Sequence, residues 1–447
     1  MKRWTLSATG DSLFTADIPE EYFRGDFREI VAFMAASDIR MTNLETNIGA
    51  FGTFPNAYSG GTWLNCTPED FDCLARFGFN YYSTANNHCM DYSYHGLLST
   101  IEELDRRLLA HSGTGRSLAE AGAPAEISVG TEKIGVIAVD TSFAPASRAG
   151  EKTRFMEARP GVNYLGYREY FPLTETQYLQ LKEIAETSCV NGWDDLFTSG
   201  GFALESPDGV YKFGGATFCY DGSKKKTECE ERDKERLVHS IAEAKTQFDS
   251  VVLAVHCHAI GWKKHEEVPA FLEEFCHAAI DAGASAVICN GTHELRPLEI
   301  YRGAPIFYSL GDFIYQGMRV KYLPADFMVK YGLDINATAE EGLMARSKGG
   351  KIGLQAHRCN FLTVLPRMTF ENGRLISLQM LPIVAGFGRT GKSEGLPYVA
   401  KGKEAEEIYE ILDRLSRPYG THLYMENGQI LWHCEEKELP EETKRLL

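Results

Sequence analysis

The sequence predicts a layered α/β protein, and three observations carry that expectation. Short apolar runs alternate with segments of helical periodicity along the chain. Two of the runs, KIGVIAVD at 133–140 and VVLAV at 251–255, are near-continuous, as in strands covered on both faces. Polar residues of metal-ligand type recur where such runs stop, which is where open α/β sheets bind their ligands.

The elements follow in order. Residues 3–9 form a β-leaning run that ends at Gly10-Asp11. Phe27, Ile30, Val31 and Met34 recur at helical spacing. A strand over 39–44 ends at Glu45. Thr67-Pro68-Glu69-Asp70 starts a helix, with Thr67 as N-cap and Pro68 in the first helical position, and Gly78 stops it. A strand over 79–84 ends at Ala85-Asn86-Asn87-His88, and a long helix is predicted over 92–110. The run at 251–255 ends at His256, with His258 two residues on. A helix over 268–282 and a strand over 285–288 lead to His293 in the turn-like segment ICNGTHELRP. Glu371-Asn372-Gly373-Arg374 and Glu426-Asn427-Gly428-Gln429 predict two hairpins that finish a mixed sheet. Residues 145–234 and 316–357 lack clean periodicity, apart from 173–185, and read as insertions: lids or substrate-binding segments, or surface decoration. There is no internal repeat and no low-complexity tract.

Bulk properties narrow the function. The chain has 447 residues, 44% hydrophobic and 24% charged, as in a globular protein with one large core or two domains. A net charge of −16 disfavours nucleic acid. An anionic substrate stays compatible with it, because a metal supplies positive charge locally. The short run Lys224-Lys225-Lys226 reads as a solvated loop. Eleven scattered cysteines, Cys434 the last of them, form no C-x-x-C pair and predict reduced thiols rather than a disulfide framework. The N-terminal stretch has no signal-like apolar region and no run is long enough to span a membrane, so the expectation is a cytoplasmic protein without a membrane anchor.

The strand-end residues are Asp11, Glu45, Asn87 with His88, His256 with His258, and His293. Taken singly, each has an ordinary explanation: a helix cap, a surface carboxylate, turn asparagines, a hydrogen-bonded histidine. Their coincidence at five strand ends predicts a shared centre. Carboxylates, an amide oxygen and imidazoles suit Mn, Fe or Zn better than Ca, and the lack of sulfur argues against a purely structural zinc. No G-x-S-x-G elbow and no P-loop occurs; Thr390-Gly391-Lys392-Ser393 holds only the tail of the latter. Ser309 reads as a turn residue that hydrogen-bonds its neighbours. Trp63, Trp193, Trp262 and Tyr220 are candidates to line a pocket, with core packing the expected role for most of them.

Gly10-Asp11, Asn43-Leu44-Glu45-Thr46, Ala85-Asn86-Asn87-His88 with Asp91, and Tyr308-Ser309-Leu310-Gly311-Asp312-Phe313 together resemble the CapA family of capsule and poly-γ-glutamate synthesis. That family belongs to the calcineurin-like metallophosphoesterase superfamily. Arg159-Pro160-Gly161-Val162-Asn163 and EIYRGAPIFYSLGDF are similar to an anchor-free branch of it, which also resembles a lasso-peptide epimerase. The resemblance implies a four-layer αββα sandwich over residues 1–383, with a C-terminal extension, 384–447, packed on the same domain. It implies that Asp11 and His293 bind one ion, that Glu45 bridges, and that Asn87, His256 and His258 serve a second. It makes His88 an acid that protonates a leaving group. Two departures stand out: Leu13 replaces a superfamily histidine, and Asn290 replaces another, as an additional candidate ligand poorer for zinc. One or two ions both remain open.

Three functions compete. The first is hydrolysis of a phosphoester or γ-glutamyl-type polymer by a metal-activated water, with His88 as acid. The second is epimerisation of a peptide, with Asp11 or His88 exchanging a proton against His293. The third is a non-catalytic accessory role in capsule assembly. The expected partner is accordingly a small-molecule, peptide or polyanionic polymer substrate.

Overall fold

The strand Arg3–Leu13 is the hub of a mixed ten-stranded sheet in the computed structural model, which describes residues 3–220 and 227–433. On one edge it pairs in parallel with Ile39–Leu44, and Tyr81–Ser83 and Ala110–Ser112 follow outward. Its other edge is shared. Residues 3–7 pair antiparallel with Leu362–Glu371, whereas residues 11–13 pair in parallel with Asp312–Tyr315. Beyond Leu362–Glu371 come Arg374–Val384, Gln429–His433 and Tyr424–Glu426.

A second sheet has six strands, in the order Leu298–Tyr301, Ala304–Phe307, Ala286–Asn290, Ser250–His256, Glu132–Asp140, Ala125–Val129. Its four central strands are parallel. Alternation along Glu132–Asp140 explains the run KIGVIAVD. Ile134, Val136 and Ala138 pack with Leu6 and Met41 of the first sheet. Ile137 and Val139 point the other way, into a cluster with Leu237 and Ile241 of helix Glu231–Gln247 and Phe275 of helix Ala270–Asp281. Helices Phe27–Met34 and Pro68–Ala75 cover the outer face of the first sheet through Ile30, Met34, Phe71 and Leu74, against Leu44 and Tyr82. The layers are therefore helix, sheet, sheet, helix, as the resemblance implied. Each fully buried large apolar side chain in them contributes roughly 1.5–3 kcal/mol.

Local chemistry sets most boundaries. Thr67 accepts from the Asp70 amide and Asp70 answers in a capping box, with Pro68 at the first helical position. Both hairpin tips use left-handed Asn-Gly pairs, with φ 52° and 78° at Asn372-Gly373 and 51° and 78° at Asn427-Gly428. The helix expected over 92–110 is Ser93–Arg106. Left-handed Leu108 (φ 56°) closes it, and Ala110 already belongs to a strand.

Two expectations need correction. The first strand does not end at Gly10-Asp11 but continues to Leu13, so Asp11 lies within it, at a break in register. Gly10 permits this: a Cβ there would lie 1.9 Å from the Gly311 carbonyl oxygen, and the Asp11 amide donates to that same oxygen at 2.9 Å. Trp193 and Trp262 are 70% and 56% exposed, so they are not core residues, whereas Trp63 is buried. Tyr220 stacks on Tyr178, with ring centroids 3.8 Å apart.

The segment 145–234 carries helices Glu175–Ser188 and Gly192–Ser199 and a small three-stranded sheet. Its last residues begin helix Glu231–Gln247, which packs on the second sheet. The segment 316–357 carries helices Ala325–Lys330 and Ala339–Arg346. C-terminal to residue 384, helix Lys403–Ser416 places Ile408 and Leu412 in the cluster between the sheets. Cys434 and Lys224-Lys225-Lys226 lie outside the described residues. Among the described residues, no helix is long and apolar enough to cross a membrane.

Gly10→Ala forces backbone to move away from Gly311 and is expected to cost about 2 kcal/mol or more in denaturant unfolding. Gly192→Ala, where an added Cβ meets nothing within 4 Å, is the control and stays within about 1 kcal/mol of the parent.

Candidate metal centre

Two rows of polar residues face each other where the sheets' parallel strands end. Across the first sheet, Asn43, Asp11 and Asp312 are register partners on adjacent strands. Across the second, Asp140, His256 and Asn290 are register partners in the same way. The Gly291 amide ties the rows together by donating to Asp11 Oδ2 at 2.8 Å. Gly291 is left-handed (φ 117°), and a Cβ on it would meet the Cys257 backbone at 2.8 Å.

His256 is the centre of one cluster. Its Nε2 lies 2.9 Å from Asn87 Oδ1, 3.1 Å from His258 Nε2 and 3.6 Å from Glu45 Oε1. Its Nδ1 lies 3.2 Å from Asn43 Nδ2 and 3.7 Å from Asp11 Oδ1. Asn43 also donates to Asp11 Oδ1 at 2.7 Å, and Asn86 braces Asn43 and the Leu44 carbonyl. The second cluster is Asp11, His293 and Asp312, with His293 Nδ1 2.8 Å from Asp312 Oδ1. His293 is held in a left-handed conformation (φ 61°), which is costly for a residue with a Cβ. The His258 and His293 rings, 5.2 Å apart, connect the clusters. His88 stands beside them. Its Nδ1 is 2.7 Å from Asp91 Oδ2, and its Nε2 is 3.7 Å from Glu45 Oε1.

The charges are heavily buried. Asp11, Glu45, Asp91, Asp140 and Asp312 are all fully sealed from solvent. Among the described residues, none of them has a lysine or arginine within ion-pair distance. Burial, and then the charges of Asp11 and Asp312, push Glu45 well above the usual carboxylate range. Burial lifts Asp140 and Asp312 from 3.8 to about 6. Burial and the neighbouring His256 and His293 push His258 well below its ordinary value. On His293, burial acts downward, but Asp312 and Asp11 outweigh it and raise the group.

These residues fit a divalent cation. Both carboxylate oxygens of Glu45 are buried without a hydrogen-bond partner, as are Asp140 Oδ2, Asp312 Oδ2 and Asn290 Oδ1. Buried polar atoms are rarely left so, and orphaned oxygens concentrated at one place match the needs of a hard cation. Glu45, His256 and His258 form one group, and Asp11, His293 and Asp312 another; in each, the ligand atoms lie within 4.8 Å of one another. That span suits ligands about 2.1 Å from one ion.

Every residue singled out from the sequence thus stands in this region: Asp11, Glu45, Asn87, His88, His256, His258, Asn290 and His293. Reasoning from the sequence assigned no role to Asp312, Asp140, Asn43 or Asn86. Asp140 ends KIGVIAVD, and its position carried the same strand-end signal as the others. Asp312 opens a strand rather than ending one, so that signal passes it by. Ser309 takes the turn role expected of it, accepting from Thr292 Oγ1 and from the Gly311 amide, each at 3.1 Å.

Two cavities flank the centre. One, of about 600 Å³, is lined by His88, His293, Leu13 and Tyr315 and by Arg346 and Lys348 of the segment 316–357. The other, of about 1330 Å³, has His258 in its wall and is built largely by the segment 145–234.

The raised carboxyls give the metal-free protein a defined pH dependence. Asp140 and Asp312 favour the protonated form on folding. Their contribution is full below 3.8 and is lost as pH rises through about 6. Metal-free protein is expected to melt at a higher temperature near pH 5 than near pH 7.5, at about 10 mM chelator. Saturating Mn²⁺ is expected to reverse that order, because bound metal requires ionised ligands.

Comparison with known proteins gives the family. The profile of the family described as "Bacterial capsule synthesis protein PGA_cap" matches residues 5–317. "Uncharacterized protein y4sH" of Sinorhizobium fredii is 30% identical over 440 residues, covering 95% of this chain and 92% of its own. A "Probable polyglutamine synthesis accessory protein" of Mycobacterium tuberculosis is 23% identical over 403 residues, covering 89% of this chain and 77% of its own. The "PGA biosynthesis protein CapA" of Bacillus subtilis is 22% identical over 292 residues, covering 65% and 56%. The chain belongs to the PGA_cap family of bacterial capsule synthesis proteins, within the metallophosphoesterase-like superfamily.

Proposed function

We propose that the protein is a metal-dependent hydrolase that cleaves a phosphoester or a γ-glutamyl-type amide in the synthesis or processing of a capsule-type polymer. The observation that carries this reading is the fully buried Glu45 carboxylate, without a hydrogen-bond partner, set between His88 and His256. The mycobacterial relative is named for polyglutamine synthesis and the Bacillus relative for PGA biosynthesis, which favours a polymer of amino-acid units.

In this reading Asp11, Glu45, Asn87, His256, His258 and His293 hold one or two divalent ions, of Mn, Fe or Zn type, with Asp312 and Asn290 completing the set. The cation, when bound, supplies Lewis acidity and a water acidic enough to attack at neutral pH. The chain's own residues do the rest. Asp91 accepts the His88 Nδ1 proton, so it fixes the ring and leaves Nε2 facing the cavity. The Leu64 amide donates to the same Asp91 oxygen at 2.7 Å and holds the carboxylate in place. As the imidazolium, with Nδ1–H held by Asp91, His88 gives its Nε2 proton to the leaving group as that bond breaks and is left as the neutral Nδ1–H ring. Gly60 lets the covering loop approach this pair, since a Cβ there would meet Asn87 Nδ2 at 2.3 Å and His88 Nε2 at 2.6 Å.

A second reading has its own observation. His88 backed by Asp91 and His293 backed by Asp312 are two imidazole–carboxylate pairs lining one cavity. Two bases facing one substrate carbon would epimerise it: one removes the Cα proton, and the other returns a proton to the opposite face.

His88→Ala tests the hydrolase reading, and the products formed by the parent protein separate it from epimerisation. Under the hydrolase reading, the Mn²⁺-loaded variant loses about 10²–10⁴-fold in kcat on p-nitrophenyl phosphate or a γ-glutamyl oligomer and keeps its metal content. Deuterium entering Cα of a peptide in D₂O without cleavage would support epimerisation and sink the hydrolase. Asp91→Asn is expected to lower kcat and to shift the limb of the pH profile that reports the acid.

A further inference from the structure

The larger cavity has a charge pattern that the metal centre does not explain. Arg148, Arg159, Arg232 and Arg236 all line it, with His258 in its wall. Elsewhere the chain pairs many of its arginines with carboxylates, as in Arg76–Glu20, Arg107–Asp72, Arg319–Asp17 and Arg358–Glu404. Among the described residues, the four cavity arginines form no ion pair. In a protein of net charge −16, four guanidiniums that form no ion pair among the described residues and share one cavity are not a compositional accident.

Their positions divide the work. Arg236 is committed to the fold. Its Nη1 donates to Asn163 Oδ1 at 2.8 Å, its Nη2 to the Tyr164 carbonyl at 2.5 Å, and its guanidinium lies 5.2 Å from the Tyr164 ring centroid. Arg159 uses only Nε, donating to the Arg148 carbonyl at 2.9 Å. Arg148 lies over the Phe143 and Tyr164 rings, which orient it without neutralising it. Arg148 likewise uses only Nε, donating to the Pro145 carbonyl at 3.4 Å, so among the described residues Arg148, Arg159 and Arg232 keep guanidinium donors free. Three acids also border the cavity. Glu230 is engaged by Arg168 at 2.7 Å, Asp233 accepts the Gly166 amide at 2.9 Å, and Glu151 also lines the cavity; the charges of Asp233 and Glu151 act on Arg236. The His258 amide is held by Ser142 Oγ at 2.7 Å, and Ser142 is itself a cavity residue. The cavity and the metal centre thus share a wall.

We infer that this cavity is an oxyanion-binding subsite in which Arg148, Arg159 and Arg232 hold carboxylate or phosphate groups of the substrate. The inference rests on the hydrolase reading, and it gives the substrate a direction. The anionic portion occupies the His258 side, and the leaving group lies on the His88 side, in the smaller cavity. Guanidinium suits this task because its planar fork bonds carboxylate and phosphate oxygens in pairs.

The test is a calorimetric titration of the full-length, metal-free protein at low salt. The probes are tri-γ-glutamate, its analogue with the α-carboxylates converted to amides, and tripolyphosphate. Binding of tri-γ-glutamate or tripolyphosphate but not of the amide is expected, and the tighter of the two identifies the anion. Arg148→Ala, Arg159→Ala and Arg232→Ala are each expected to weaken it about 10-fold, with Arg148→Lys intermediate. Unchanged melting temperature and Mn²⁺ stoichiometry show that each variant is folded with its centre intact. Absence of binding at about 1 mM, or affinity indifferent to all three arginines, overturns the subsite. Because metal and turnover play no part in this titration, failure of the hydrolase reading appears separately, as absence of cleavage by the loaded enzyme.

Discussion

Five carboxylates sealed from solvent, with imidazoles for company and, among the described residues, no lysine or arginine within ion-pair distance, set the terms for the rest of the molecule. An uncompensated buried charge costs several kcal/mol even after relaxation. Without a cation the chain limits that cost by keeping protons, as the raised carboxyls of Glu45, Asp140 and Asp312 indicate. The surrounding backbone is shaped to bring the groups together. Gly10 lets the first strand press against Gly311, and Gly291 carries a donor to Asp11 from the opposite sheet. Stability has been traded locally for a cluster of oxygen and nitrogen donors, which fits a site built for charge.

The two-sheet architecture explains how residues so distant in sequence converge. Each sheet contributes a register row at its strand ends, and packing the sheets face to face closes the rows on each other. The elements outside the sandwich then specialise. The segment 316–357 walls the cavity that holds His88 and His293, and the segment 145–234 walls the one that holds His258 and the arginines.

Much of this was legible in the sequence, for physical reasons. Strand-end ligands are readable because burial on both faces leaves an apolar run that stops abruptly, as VVLAV stops at His256. The Thr67 N-cap with Pro68 at the first helical position and both Asn-Gly hairpins are local chemistry and came out as expected. Asp312 was harder, because its strand pairs with only the last residues of Arg3–Leu13, an arrangement created by the register break at Asp11. No local pattern announces a bulge whose cause is contact with Gly311, three hundred residues away. Trp193 and Trp262 misled because aromatic residues ordinarily bury, and these two lie exposed in segments outside the sandwich. The arginine cavity left no periodic trace, since its members come from separate loops and one helix.

The ligand assignment stands or falls on where a cation sits. Crystals grown with Mn²⁺ and measured at the manganese absorption edge provide the most direct measurement. One or two anomalous peaks are expected, about 2.0–2.3 Å from oxygens of Glu45 and Asp11 and from nitrogens of His256 and His293. A fully occupied peak elsewhere, or none in this region at saturating Mn²⁺, would contradict the assignment and leave the buried carboxylates to be explained by protonation alone.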